Sequence, residues 1–344
     1  MKPDVLGVIE AVYAETPDET AWLGNVAAAA APVVDQGLGM VAERFVLDPR
    51  DGARYTTGVA LGEHGEALLA SNRNMVTEAR ERGLPGFLTQ VALLSSVACP
   101  PLIEAGFIER HIAKVGGLGG ASDILGIVGA DSSGRGLVLA AAVPKGFQLS
   151  AAFVKRWRYV LSHLASATRL RDADLSGTGE AVLDASGKLH DASGAATTRD
   201  AQIALRRAAR AIDRARAARK RSPEAALEGW HALVDARWSL VDRFESDGKS
   251  YLIAKPNPPR PPPVAPLTPR ERAVTSLAAL GRSNKLIAYE LGLAVGTVAN
   301  YLLRAQKKLG AASRAGLIRA FHSALRGATP GAGGAKPRSL SRLR

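Results

Sequence analysis

Between Val295 and Leu309 the sequence "VGTVANYLLRAQKKL" mixes side chains that hydrogen-bond directionally with side chains that carry positive charge. Val295, Val298, Leu302, Ala305 and Leu309 recur at spacings of three and four, which places them on the inward side of a helix. The remaining face presents Thr297, Asn300, Tyr301, Arg304 and Lys308 as one stripe, with Lys307 beside it. The chemistry open to this face is noncovalent. Asn pairs bidentately with adenine, Arg with guanine, and lysines neutralise phosphates. No Ser/His/Asp triad or carboxylate pair stands out elsewhere, and the six histidines are scattered without metal-ligand spacing. The expectation is no catalytic residue, no metal and no resident cofactor.

A reading helix needs a scaffold, and the flanking residues supply one. Thr268-Pro269-Arg270-Glu271 has the form of a capping box with proline at the first helical position. Val274, Leu277 and Ala278 give that helix an inward stripe, and Gly281 ends it. Ser283 is placed to cap the next helix, which turns Ile287, Ala288 and Leu291 inward. Gly292 supplies the sharp turn into the third helix, because glycine reaches positive φ at little cost. A fourth helix over about 313–325 buries Leu317, Ile318 and Phe321. This is a helix-turn-helix whose third helix fits the major groove of duplex DNA.

The segments "LTPRER", "SNKLIA", "TV" followed by Asn300, "KKLG" and Ser313-Arg314 resemble the LuxR-type, or GerE-type, DNA-binding domain. The resemblance covers 267–321 and implies that the third helix reads the groove while the fourth forms a homodimer contact. Carried over by position, it puts Thr297, Asn300 and Arg304 at the DNA, with Lys285, Lys307 and Lys308 near phosphates; Tyr301, able to donate its hydroxyl to a phosphate or pack on sugar, and Asn284 complete the expected DNA-binding set. Four positions depart from the family pattern: Leu286 where Glu is usual, Ala294 for Ser, Ala299 for Lys and Tyr301 for His. The first removes half of a second capping box, and the second leaves the third helix uncapped. The missing lysine should flatten the salt dependence of DNA binding by about one ion. "VGTVANYLLRAQKKL" also resembles region 4 of sigma factors, although nothing upstream reads as an all-helical polymerase-binding domain.

Charge is distributed to match. The chain of 344 residues carries a formal net charge of +13. Residues 255–344 hold 16 Lys+Arg against 2 Asp+Glu, so essentially the whole excess lies in the last quarter. This is the pattern of a polyanion-binding module joined to a neutral body. Between them, 255–269 holds eight of the nineteen prolines, which predicts an extended spacer (255–266) stiff enough to hold the DNA-binding domain off the body. The Gly/Pro/Ser-rich basic end, 327–344, predicts a disordered tail.

The body reads as helices over 4–31, a hairpin of 37–47 and 53–61, helices over 63–112 including "FLTQVALLSSVA" (87–98), a hairpin of 124–130 and 135–143, and an amphipathic helix over 149–170. That order resembles a GAF-type sensor domain over 1–172. Residues 177–254, a hairpin at 181–192, a basic helix at 199–221 and strands flanking Asp247-Gly248, resemble a PAS-like module or a sensor extension. The basic helix reads as a solvated face, and Cys99 as a core residue. "VGGLGGASD" (115–123) reads as a tight turn, since no Gly-Lys-Ser/Thr follows to make a phosphate loop.

The fold class expected is therefore α+β and multidomain: a GAF/PAS-like sensor region, then an all-α four-helix LuxR-type domain over 267–326. The function expected is a cytoplasmic regulator that senses an unknown small-molecule effector and binds double-stranded DNA as a dimer, touching RNA polymerase indirectly and no membrane. Two alternatives stand beside it, a sigma-like polymerase partner and an enzyme-like or cofactor-binding body tethered to DNA.

Overall fold

The computed structural model describes residues 4–16, 18–48, 52–81, 97–98, 107–131, 134–172, 179–246, 249–257 and 266–327. Cys99, most of the helix expected over 87–98, the prolines of 258–265 and the tail from 328 lie outside these residues.

Helices α1 (Val5–Tyr13) and α2 (Glu19–Val34) are each opened by an aspartate, Asp4 and Asp18, whose carboxylates accept from the Gly7 and Ala21 amides. A five-stranded antiparallel sheet follows from β1 (Met40–Asp48), β2 (Gly52–Leu61), β3 (Val97–Ala98), β4 (Ala121–Ala130) and β5 (Arg135–Pro144), in the order β2-β1-β5-β4-β3. Helix α3 (Gly65–Glu81) follows β2, and α4 (Phe107–Lys114) precedes β4. Val97 and Ala98, expected to end a helix, pair instead with Ile127 and Gly126. The glycine-rich run is a tight turn, with Gly116, Gly117, Gly119 and Gly120 all at positive φ before β4 begins.

Both faces of the sheet are covered over β4 and β5, so these two strands read as near-continuous apolar runs. Met40, Ala42, Leu137, Leu139 and Ala141 pack with α1, α2 and the long helix α5 (Ala151–Asp172). Their neighbours Val41, Val138, Ala140 and Ala142 pack on the other face with Leu68 and Val76 of α3 and Ile112 of α4. This is the two-residue period of a strand, expressed on two cores. Glu43, fully buried on β1, accepts from Asn72 Nδ2 and Arg73 Nε, each at 3.3 Å.

The chain continues with β6 (Ala181–Asp184), β7 (Leu189–Ala192), α6 (Arg199–Ala218), α7 (Pro223–Gly229), β8 (Trp238–Ser246) and β9 (Lys249–Pro256). The strands form a second antiparallel sheet ordered β7-β6-β9-β8. The apolar residues of this sheet and of its helices, among them Leu183, Trp238 and Leu252 on strands, Leu205 and Ile212 on α6 and Trp230 after α7, join the same core as α1, α2 and α5 rather than closing a separate one. Arg219 pairs with Asp4 and Glu10, and Lys255 Nζ sits 2.6 Å from Glu15. β9 runs to Pro256, so the first two residues assigned to the spacer belong to the sheet.

Helices α8 (Pro269–Ala279), α9 (Asn284–Leu291), α10 (Val295–Lys308) and α11 (Arg314–Gly327) complete the fold. They do not stand off the body, contrary to the expectation drawn from the proline run. Residues 231–237 of the body enter their core: Leu233 and Ala236 are buried with Val274, Ile287, Leu291 and Val298. The entry is a tight turn with positive φ at two consecutive non-glycine residues, Asp235 (49°) and Ala236 (55°). Each such residue costs roughly 1–2 kcal/mol, which persists only where surrounding contacts enforce it. Here they do. The Ala236 N–H donates to Leu291 O at 2.6 Å, and Asp235 pairs with Arg270 at 2.7 Å. Gly292, at φ 65°, presses so closely on this turn that a Cβ would lie 2.0 Å from Leu233 O.

The other half of the junction centres on Tyr289, which is 4% exposed. Its hydroxyl lies 2.5 Å from Trp230 O, 2.8 Å from Leu227 O and 2.8 Å from His163 Nε2. A tyrosine has one proton, and carbonyls only accept, so that proton goes to a carbonyl and His163 Nε2 must be the donor to Tyr289. His163 Nδ1 then accepts from the Tyr13 hydroxyl at 3.2 Å. Burial drives the His163 pKa down to about 3, which keeps the ring neutral in this arrangement. The junction also explains α5. Read as amphipathic, its second half is buried on every side from Tyr159 to Leu170, because α9 covers the stripe that would otherwise face water.

Candidate nucleic-acid interface

The scaffold of the candidate reading helix forms locally as its capping residues dictate. Thr268 Oγ1 accepts from the Glu271 amide at 3.3 Å, and Glu271 Oε2 accepts from the Thr268 amide at 2.8 Å, a closed capping box. Ser283 Oγ accepts from the Leu286 amide at 3.3 Å, but Leu286 has no carboxylate to return the bond. Gly292 closes α9 in the left-handed region, and α9 and α10 meet at a bend of 107°. That is the angle range of a helix-turn-helix pair. Ala294 stands at the N-cap of α10 with no side-chain bond.

Helix α10 is anchored by Val298, Leu302 and Ala305, all buried. At 100° per residue, the side directly opposite carries Gly296, Asn300, Leu303, Arg304 and Lys307, and all five are exposed. The sequence stripe is therefore displaced by about one position. Thr297 and Tyr301 lie at its edge, half-buried, and Tyr301 packs against the domain core. Val295, expected to point inward, is 49% exposed. Leu303, absent from the sequence-derived set, is 51% exposed at one edge of this arc, next to Asn300 and Lys307. Helical phase alone could have found it, since it follows Leu302 by about 100° of rotation.

The remaining basic residues are unequal. Lys307 is exposed at the centre of the face. Lys308 Nζ lies 2.7 Å from Glu271, the same carboxylate that closes the capping box. Burial alone would raise the Glu271 pKa, but the bond from Lys308 and those from Thr268 hold it below the usual range. Lys285 is exposed, with Nζ 3.7 Å from Glu228. Asn284 Oδ1 accepts from Arg314 at 2.6 Å, so this side chain ties α9 to α11. The docked body lies against α9 and the turn before α10, and leaves the Asn300–Arg304–Lys307 face open.

Gly296 adds a further geometric fact. A Cβ built there meets no atom within 4 Å, so packing does not require glycine at this position. Glycine costs a helix roughly 0.5–1 kcal/mol relative to alanine, and its use next to open space suits close approach by a ligand. The arrangement as a whole offers hydrogen-bond donors and acceptors on a narrow, rigid, positively charged ridge. Among the described residues, no group of three or more His, Cys, Asp or Glu is placed to hold a metal ion, and no single helix is long and apolar enough to cross a membrane.

Comparison with known proteins falls on this same segment. Residues 265–321 match the family of bacterial regulatory proteins designated luxR, or GerE. The chain is also 50% identical over 54 residues to the transcriptional regulatory protein MctR of Rhizobium johnstonii, a match covering 16% of this chain and 25% of that protein. The chain thus spans about a quarter of the length of that curated relative, and what the match identifies is a C-terminal helix-turn-helix domain of GerE/LuxR type.

Proposed function

We propose that this protein is a cytoplasmic, sequence-specific transcriptional regulator that binds operator DNA through α10. The observation that carries this reading is the open face of α10, held at 107° to α9 on a capped and buried scaffold, in the segment that matches the luxR family. Asn300 and Arg304 contact base edges, with Thr297 at the rim. Tyr301 reaches sugar or phosphate, and Lys285, Asn284, Lys307 and Lys308 serve the backbone. For Asn284 and Lys308 this requires exchange of their present partners, Arg314 and Glu271, for phosphate.

Residues 1–254 act as a GAF/PAS-like sensor for a small-molecule effector, with the second sheet extending the first through their common core. Two chains pair through α11, and polymerase is engaged only indirectly. The reading involves no catalytic step. The test is selection of bound sequences from a random duplex pool by the full-length protein, followed by transcription from a promoter carrying the selected site. An enriched sequence whose presence makes transcription protein-dependent supports the proposal. Equal binding to all duplexes, or none, rejects it.

A further inference from the structure

An apolar ridge runs along the open side of α10. Val295, Ala299 and Leu303 follow at i, i+4 and i+8, and all three are exposed, Val295 by 49% and Leu303 by 51%. Side chains four apart stack on one face of a helix, so the three form a continuous strip. The strip borders Asn300 and Lys307, which lie three and four residues from Leu303 on the exposed arc, with Arg304 across that arc. Nothing in the domain core needs it, because Val298, Leu302 and Ala305 already supply the buried side.

We propose that this ridge reads thymine by its C5-methyl group, making Leu303, with Ala299 and Val295, specificity determinants of the α10–DNA contact. The inference rests on the DNA-binding reading above. Two features select this occupant. First, the ridge adjoins a cationic side chain. An apolar protein partner seated on Leu303 would also have to bury Lys307, whose desolvation is costly. A major groove accepts both at once, since its floor presents thymine methyls and its walls present phosphates. Second, Gly296 places no side chain on the same open arc, which lets the helix approach base edges closely. Arg304 and Asn300 then read guanine and adenine while the ridge reads the thymines beside them.

The test uses the full-length protein and a duplex selected from a random pool, with each thymine replaced in turn by deoxyuridine, which lacks only the methyl. At one or more thymines, removal of the methyl should weaken wild-type binding by about fourfold, the value of one buried methyl-sized group. Leu303→Ala should bind the thymine duplex more weakly but show little further loss on the uracil duplex. Because Leu303 is half exposed and outside the core, the variant should keep the wild-type thermal transition, measured in parallel. Uniform tolerance of deoxyuridine overturns the inference, and so does an undiminished uracil penalty in Leu303→Ala. A wild-type protein with no salt-sensitive affinity for any duplex would instead reject the DNA-binding reading itself.

Discussion

Tyr289→Phe removes one oxygen from the junction between the body and the DNA-binding domain, and the structure sets the cost. The hydroxyl accepts from His163 Nε2 and donates to Trp230 O or Leu227 O, in a site from which water is excluded. Its loss leaves one buried donor and one buried acceptor unpaired, at roughly 1–3 kcal/mol each. A change of tautomer gives part of this back. His163 can move its proton to Nδ1 and donate to Tyr13, whose hydroxyl then turns to Ala232 O at 3.4 Å. The net expectation is a destabilisation of about 2–4 kcal/mol. Urea unfolding followed by tryptophan fluorescence measures it, because Trp230 and Trp157 lie in the core this junction joins. The pairing is also testable by a cycle with His163→Phe, where partners in contact should couple by about 1 kcal/mol or more. A Tyr289→Phe protein within about 0.5 kcal/mol of wild type, or strict additivity with His163→Phe, would refute the hydrogen-bond chain assigned to the junction.

Further outcomes follow from the same geometry. His163, with its pKa lowered by burial from 6.5 to about 3, contributes stability that is complete above pH 6.5 and lost as pH falls toward 3. Glu43, pushed up by burial from 4.5 to about 7, contributes stability that is complete below pH 4.5 and lost as pH rises toward 7. The two slopes oppose between pH 4.5 and 6.5. Glu43→Gln should therefore uncover a loss of about 3 kcal/mol on acidification across that window, seen in urea midpoints at stepped pH, where wild type stays flatter. Ala294→Ser should cap α10, whose N-cap backbone is already extended at ψ 146°, adding about 1 kcal/mol and slowing amide exchange in its first turn. Ala299→Lys should steepen the salt dependence by about one ion and, by interrupting the apolar ridge, reduce the penalty for deoxyuridine, whereas Arg304→Ala should relax base preference, both measured by fluorescence anisotropy in a salt series.

Much of the DNA-binding domain was legible because its signals are local. Thr268 and Glu271 three residues apart, Ser283 before a helix, and Gly292 at a required left-handed turn each act within a few residues of chain. The hairpins of the body were legible for the same reason, through apolar runs flanking short turns. What escaped was decided across distance. Tyr289 and Glu290 look like ordinary members of a surface helix, yet they are 4% and 0% exposed because α5 and α7 arrive from far along the chain. Arg282 and Glu290 share that burial at 3.6 Å, an ion pair no helical pattern predicts. The proline run suggested separation, but docking is governed by the 231–237 turn, whose unusual φ values leave no trace in "HALVDAR". The face of α10 was placed from residue type, which drew the stripe toward its polar members and passed over Leu303.

On the proposed function, α10 reads DNA by sequence through its open face. The most direct measurement is binding of full-length wild type and Arg304→Ala to a selected duplex and a scrambled one, across a range of salt concentrations. Wild type should prefer the selected duplex, affinity for both duplexes should fall as salt rises, and Arg304→Ala should narrow the preference by about 1–3 kcal/mol while retaining most nonspecific binding. Equal affinity of wild type for the two duplexes, or a preference unchanged by Arg304→Ala, would contradict the proposed function.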